Sequence, residues 1–157
     1  MLTFSRAFSM LGAALLIAGC AQTPPASQAA SMPVASAPAT PAPPLAGTTW
    51  KLKLLNGKTV TRTAPRQRDV TIVFNDGRVS GHSGCNQMMG AYGTNGSSTL
   101  MFSQLAGTMM ACEATDMELE QQLLKILGTV NGYRFDGQQL LLLKDGVAVA
   151  RYEAQAN

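Results

Sequence analysis

Charge is scarce at the front of this chain. Arg6 is the sole charged side chain among the first fifty residues, and no acid appears before Asp69. Histidine is scarcer still. His82 stands alone, so a zinc site with the usual four protein ligands is short of donors. Cysteine occurs only at positions 20, 85 and 112. No apolar run is long enough for a mature transmembrane helix, which takes about 20 residues; the run from Ala7 to Gly19 falls short of that. No internal repeat is visible beyond generic hairpins, and the long crossovers that parallel strands need are missing.

What stands at the front reads as targeting. The run Ala7 to Gly19 follows Arg6 and ends in Leu16-Ile17-Ala18-Gly19-Cys20, which resembles a lipobox, with small residues for the signal peptidase and a thiol to receive the lipid. Residues 1–19 are therefore expected to be removed as a lipoprotein signal peptide and Cys20 to be lipidated, with several acyl chains giving a stable anchor where one would not. Residues 20–45 hold seven of the eight prolines among Ala, Ser and Thr, a composition that cannot bury a core and predicts a disordered tether. Ala21 is not the aspartate that retains many lipoproteins in the inner membrane. Outer-membrane anchoring, with the domain facing the periplasm, is the expectation.

Residues 46–157 are sized for one domain with one core. Its charge is uneven. Lys51, Lys53, Lys58, Arg62, Arg66, Arg68 and Arg78 face only Asp69 and Asp76 before residue 80, which gives either a basic edge for anionic headgroups or a solvated loop and strand face. Export removes the opportunity to meet nucleic acid.

Trp50, Leu52 and Leu54 alternate with lysines, the period of a half-buried strand, and Asn56-Gly57 supplies a turn with Lys58 to Arg62 returning. Val70, Ile72 and Phe74 repeat the device, with Asn75-Asp76-Gly77 turning into Arg78 to His82. Strands are expected at Met89–Tyr92 and Thr99–Phe102 around a turn at residues 94–98, and later at Val130–Phe135, Gln139–Leu143 and Val147–Tyr152. Between the two sets, Leu119, Leu123, Ile126 and Leu127 have helical spacing. Thr115 with Glu118 predicts a capping box, and Gly128 a stop. Leu140 to Leu143 is apolar on both faces, which predicts a strand with the helix on one side and the sheet's core on the other. The predicted class is α+β, mainly β: a small antiparallel curled sheet or open β-barrel with one packed helix.

Ser80-Gly81-His82-Ser83-Gly84-Cys85-Asn86, Gly90-Ala91-Tyr92 and Leu105-Ala106-Gly107-Thr108-Met109-Met110-Ala111-Cys112 resemble the signature of META domains, the group that includes HslJ-like lipoproteins. Trp50, Phe74, the Leu119 to Leu127 helix and Tyr133-Arg134-Phe135-Asp136-Gly137 extend the likeness over essentially the whole domain. The resemblance implies a small, mostly antiparallel barrel-like fold with one helix, and an association with heat-shock induction and novobiocin resistance. It implies no catalytic mechanism and no cofactor. Within the motif, Gly84, Asn86, Gly90, Tyr92 and Thr108 are read as structural, the glycines through positive φ or close backbone approach and the Asn through bonds to local backbone.

Setting Cys20 aside leaves Cys85 and Cys112, an even pair in an oxidising compartment, and a disulfide is the leading reading. Buried free thiols are an alternative. So are a metal site of His82, Cys85, Cys112 and neighbouring methionines, and a His82–Cys85 base and nucleophile. The expected function is a non-enzymatic envelope lipoprotein acting through binding or assembly, its partners the membrane through the anchor and an envelope protein or acyl ligand. The rival reading is a lipid or peptide carrier, or a secretin-pilot-like lipoprotein, with a pocket lined by Met88, Met101, Phe102, Met110 and Leu123.

Overall fold

A computed structural model describes residues 41–63 and 67–156. The signal segment 1–19, Cys20 and the tether as far as residue 40 lie outside the described residues, as does Arg66. The elements run β1 (Thr49–Leu55), β2 (Lys58–Thr59), β3 (Thr71–Asn75), β4 (Arg78–His82), β5 (Gln87–Asn95), β6 (Thr99–Gly107), α1 (Ala114–Leu127), β7 (Gly132–Asp136), β8 (Gln139–Lys144) and β9 (Val147–Ala154).

Local chemistry sets the hairpins. Asn56-Gly57, Asp76-Gly77 and Asp145-Gly146 each form a two-residue loop, and all of these residues have φ between 46° and 81°. Two successive positive φ values give the turn whose twist matches that of the flanking strands, and Asx-Gly pairs adopt it at least cost. Among the described residues every pairing between strands is antiparallel, in the order β6-β5-β4-β3-β1-β9-β8-β7, with β2 paired beside β1. The sheet curls until its two edge strands meet: the Tyr133 amide donates to the Ser98 carbonyl at the head of β6, at 2.8 Å. It is an open barrel with a seam, and the class expected from the sequence is the class observed.

The inside of the curl is filled. Trp50, Leu52, Ile72, Phe74, Leu140 and Tyr152 are fully buried together with Leu123 and Leu127 of α1 in one cluster. Each such side chain contributes about 1.5–3 kcal/mol by leaving water. The Tyr152 hydroxyl has no hydrogen-bond partner among the described residues, and its burial pushes its pKa well above the usual phenol value.

Several local expectations need correction. The alternation Trp50, Leu52, Leu54 breaks at a bulge against β9 between Leu52 and Leu54, so Leu55 rather than Leu54 turns inward. The return strand after Asn56-Gly57 lasts only two residues, because β3 takes the place beside β1. β5 and β6 run longer than expected, to Asn95 and Gly107. The turn of the β7–β8 hairpin is Gly137-Gln138, since Asp136 already pairs with Gln139. The capping box does not form. The helix starts at Ala114, which puts Thr115 inside the first turn where a side-chain N-cap geometry is lost, and Glu118 instead accepts from Gln122 at 3.0 Å. Gly128 follows the helix but stays right-handed, at φ −64°. The last turn is closed by the Thr129 amide and hydroxyl, both donating to the Ile126 carbonyl at 2.8 Å. Finally, the helix and the core lie on one face of β8, with Leu140 and Leu142, while the buried Leu141 stands outside that cluster in register between Arg134 and Arg151.

One glycine is fixed by crowding rather than by φ. A Cβ at Gly81 would sit 1.9 Å from the Thr71 carbonyl oxygen across the β3–β4 pair. Gly81→Ala must therefore push two paired strands apart, and a loss of about 2–3 kcal/mol is expected. The urea midpoint of the variant measures it; Gly57→Ala, where nothing lies within 4 Å, bears only the cost of its positive φ, about 1 kcal/mol.

Candidate functional site

β4 ends at His82, and the chain loops through Ser83 to Asn86 before β5 begins. Gly84 holds φ 123°, a conformation closed to side chains, and its Cβ position lies 3.2 Å from the Asp116 carbonyl of α1. The loop is thereby pressed onto the first turns of the helix. Beside it runs the segment from Thr108 to Cys112, which leads from β6 into α1.

Asn86 and Glu120 bind these three pieces together. The buried Asn86 side chain accepts from the Thr108 hydroxyl at 2.8 Å and the Met110 amide at 2.7 Å, and its Nδ2 donates to Glu120 Oε1 at 2.9 Å. The other carboxylate oxygen, Oε2, accepts from the Asn86 amide at 2.7 Å and the Ser83 hydroxyl at 2.6 Å. Burial alone would raise the Glu120 pKa. The hydrogen bonds from Ser83, from the Asn86 side chain and from the Asn86 and Cys85 amides outweigh it and hold the group below its ordinary 4.5.

A second carboxylate faces the same loop. Asp116 Oδ1 accepts from Arg62 Nη1 at 2.7 Å and from Gln67 Nε2 at 3.2 Å. Arg62 also donates to the Gly84 carbonyl at 3.1 Å and the Arg68 carbonyl at 3.0 Å. The side chains of this ion pair are only 6% and 10% exposed. Desolvation takes back much of what such a pair gains, so its main effect is positional: it fixes Arg62 against the loop and the helix. Lys51 and Lys53 are likewise paired, with Asp69 and Glu153, which leaves the expected basic edge partly neutralised.

His82 lines a cleft of about 410 Å³ together with Arg68, Gln87, Thr108, Met110 and both cysteines. Arg68 Nη1 lies 3.4 Å from His82 Nε2, and because a guanidinium only donates, Nε2 is the acceptor and Nδ1 carries the proton. Among the described residues that Nδ1 is buried without a partner. Burial, then the charges of Arg68 and Arg62, lower the His82 pKa below 6.5 against a weaker pull from Glu120, so the ring is neutral.

Cys85 and Cys112 form a disulfide, with their Cα atoms 5.8 Å apart. The thiol needed for a nucleophile and the thiolates needed for a metal are therefore consumed. Among the described residues no group of three His, Cys, Asp or Glu side chains is placed to hold a metal ion. Ser83 beside Glu120 is not a base-activated nucleophile either: the serine is buried, and a carboxylate held below its ordinary pKa is a weak base.

Of the motif residues, Gly84, Asn86 and Thr108 meet in this cluster. Gly90 lies farther along β5, where a Cβ would come within 3.0 Å of the Ser103 carbonyl and 2.9 Å of Leu105. Tyr92 packs edge-on against Phe74 at 5.0 Å, with Phe102 on the same ring at 6.0 Å. The methionine-lined pocket is not assembled. Met88 and Leu123 are in the core, Phe102 packs against it, Met101 is exposed on β6, and Met110, also largely exposed, lines the cleft beside the disulfide instead. Sequence reasoning missed Glu120 and Asp116. Their signal was present: both fall on the face of α1 that continues into Leu123 and Leu127, where helical period asks for apolar residues.

The sequence pattern of the META domain matches residues 43–156. The chain belongs to the META domain family. A META protein of this kind is similar in fold to a protein from Burkholderia xenovorans solved by NMR, with TM-score 0.58 and 27% identity over 72% of this chain and 85% of that one. A second NMR structure matches with TM-score 0.54 and 25% identity, over 69% of this chain and 90% of the other. No curated protein matches the chain.

Two measurements test the cluster. Both His82 and Glu120 are depressed in the folded state, so each contributes stability that is complete above its unfolded pKa and lost as pH falls through the folded one. The urea midpoint is expected to fall below pH 6.5, a step absent in His82→Gln, and again below 4.5, a step absent in Glu120→Gln. Glu120→Gln should cost about 1–2 kcal/mol at neutral pH. Joint replacement of Cys85 and Cys112 by alanine, which reopens a loop of sequence separation 27, should cost about 3.5 kcal/mol, read from the same titration.

Proposed function

We propose that this META protein is a non-enzymatic lipoprotein anchored through Cys20 in the outer membrane, its domain facing the periplasm, and that it contributes to envelope stress tolerance by binding or assembly. The observation that carries the reading is the division of its three cysteines. Cys85 and Cys112 are bonded to each other within the fold, as suits an oxidising compartment, and Cys20 alone stands where the apolar run Ala7 to Gly19 ends. The tether of residues 20–45 gives the domain reach from the bilayer.

Action by binding is supported by the way the polar cluster is used. Its carboxylates, amide and hydroxyl are engaged with one another, and the interior of the curl is occupied by Trp50, Phe74, Tyr152 and their neighbours, which favours recognition on the outside over a ligand carried within. The stress role, against heat or novobiocin-type antibiotics, is drawn from the resemblance to HslJ-like members.

Radiolabelled palmitate is expected to enter the wild-type chain and not Cys20→Ser, and only the wild type should sediment with outer membrane. Equal labelling of the two, or none of either, overturns the anchor. A strain lacking the chain should lose novobiocin tolerance and regain it with the wild type but not with Cys20→Ser; unchanged tolerance removes the stress role.

A further inference from the structure

Most charges around the helix entry are matched within the fold, and one is not. Asp116 is met by Arg62 at 2.7 Å, the Glu120 oxygens are taken up by Ser83 and Asn86, and Lys51 and Lys53 have acids of their own. Arg68 has none. Among the described residues its guanidinium makes a single contact, the 3.4 Å approach of Nη1 to His82 Nε2, and forms no ion pair. Most N–H groups of its planar fork therefore meet no protein acceptor.

This exposed side chain lines the cleft of about 410 Å³ beside the disulfide, and the walls around it are of two kinds. His82 and Gln87 are polar, and the exposed Gln87 side-chain amide has no partner among the described residues. The Cys85–Cys112 disulfide and Met110, whose side chain is 62% exposed, are apolar. The potential over the polar part is positive. Burial does most to keep the His82 ring neutral, and the charges of Arg68 and Arg62 come next, each ahead of the opposing pull of Glu120. Asp116 also lines the cleft, but its charge is matched by Arg62, and Glu120 is not among the lining residues. With the ring neutral, one positive charge is left uncompensated, which is what a monoanion matches.

We infer that this cleft binds a carboxylate borne on a short apolar group, with the carboxylate on the Arg68 fork and the apolar part against Met110 and the disulfide. The inference rests on the binding reading and names the chemistry of what is bound. A carboxylate sets two oxygens at the spacing of the guanidinium fork, a far better partner than a neutral ring nitrogen at 3.4 Å. Its negative charge offsets that of Arg68 at the His82 ring, so a proton there becomes less costly. Gln87 supplies a neutral donor in the same cleft. A phosphate dianion would find only one unmatched cation, and an anion without an apolar part would leave the Met110 wall wet. Small organic acids and the C-terminal carboxylate of a polypeptide share this chemistry.

His82 is the sole histidine of the chain, so its imidazole nitrogen signals are read without ambiguity by NMR. With the full chain in detergent micelles at neutral pH, butyrate is expected to shift those signals saturably and to raise the pH at which the ring titrates. Acetate should bind more weakly, and butyramide and inorganic phosphate should leave the ring unchanged. Arg68→Gln should weaken butyrate about tenfold or more, while Arg78→Gln, at the far end of β4, should not change it. Met110→Ala leaves the charge in place and should erase the advantage of butyrate over acetate, which keeps the inference open to failure should Arg68→Gln not fold. The tripeptide Ala-Ala-Leu separates the two sources: binding of its free acid more tightly than butyrate assigns chain termini, and weaker binding assigns small acids. Butyramide or the amidated tripeptide binding as well as its acid, phosphate binding as well as butyrate, indifference to Arg68→Gln, or no shift at all overturns the inference. Palmitate labelling decides the anchor separately, so the cleft can fail while the lipoprotein reading stands.

Discussion

The carboxylate of Glu120 is the point on which the irregular half of this molecule turns. It reaches from the second turn of α1 into the loop between β4 and β5, takes up the Asn86 amide, the Asn86 side chain and the Ser83 hydroxyl, and leaves Asn86 free to hold Thr108 and Met110 with its remaining oxygen. The strands need no such device, because their ladders and the apolar interior hold them. The helix does. It has no side-chain N-cap, and it enters the fold through a segment without regular structure. Glu120, the Arg62–Asp116 pair and the disulfide together fix where that entry goes.

The regular half was legible in the sequence and the irregular half was not, for a physical reason. Hairpins announce themselves locally: Asn56-Gly57, Asp76-Gly77 and Asp145-Gly146 adopt the turn that their own side chains favour, and alternation on either side sets the faces. The period of Leu119, Leu123 and Leu127 likewise gave the helix. Bulges at β1 and β5–β6 were missed because they depend on what a strand must accommodate across the sheet rather than on its own residues. The helix start was misplaced for a similar reason, since Thr115 and Glu118 have the spacing of a cap while the entry point is dictated from Cys85 and Gly84, thirty residues away in sequence. Asp116 and Glu120 could have been found. Acids on the apolar stripe of a helix demand partners, and the motif Ser83 to Asn86 supplies those of Glu120 while Arg62 and Gln67 supply those of Asp116.

Inside and outside have separate duties in this fold. The interior is given over to packing, with aromatic and aliphatic side chains filling the curl, so recognition belongs to surfaces that the core supports from behind. The motif that marks the META family lies at the junction of those duties. Its glycines let strands and loop come close, its asparagine and cysteine lock the loop, and the cleft lies beside that locked loop.

The disulfide spans the two segments that flank the helix entry and touches none of the sheet's ladders. Severing it therefore removes a restraint on one cooperative subunit of the structure before it reaches the barrel as a whole. In a reducing environment the approach to the helix would be the first part of the domain to loosen, while the ladders of the sheet stay in place. Oxidation thus guards the helix entry before it guards the barrel.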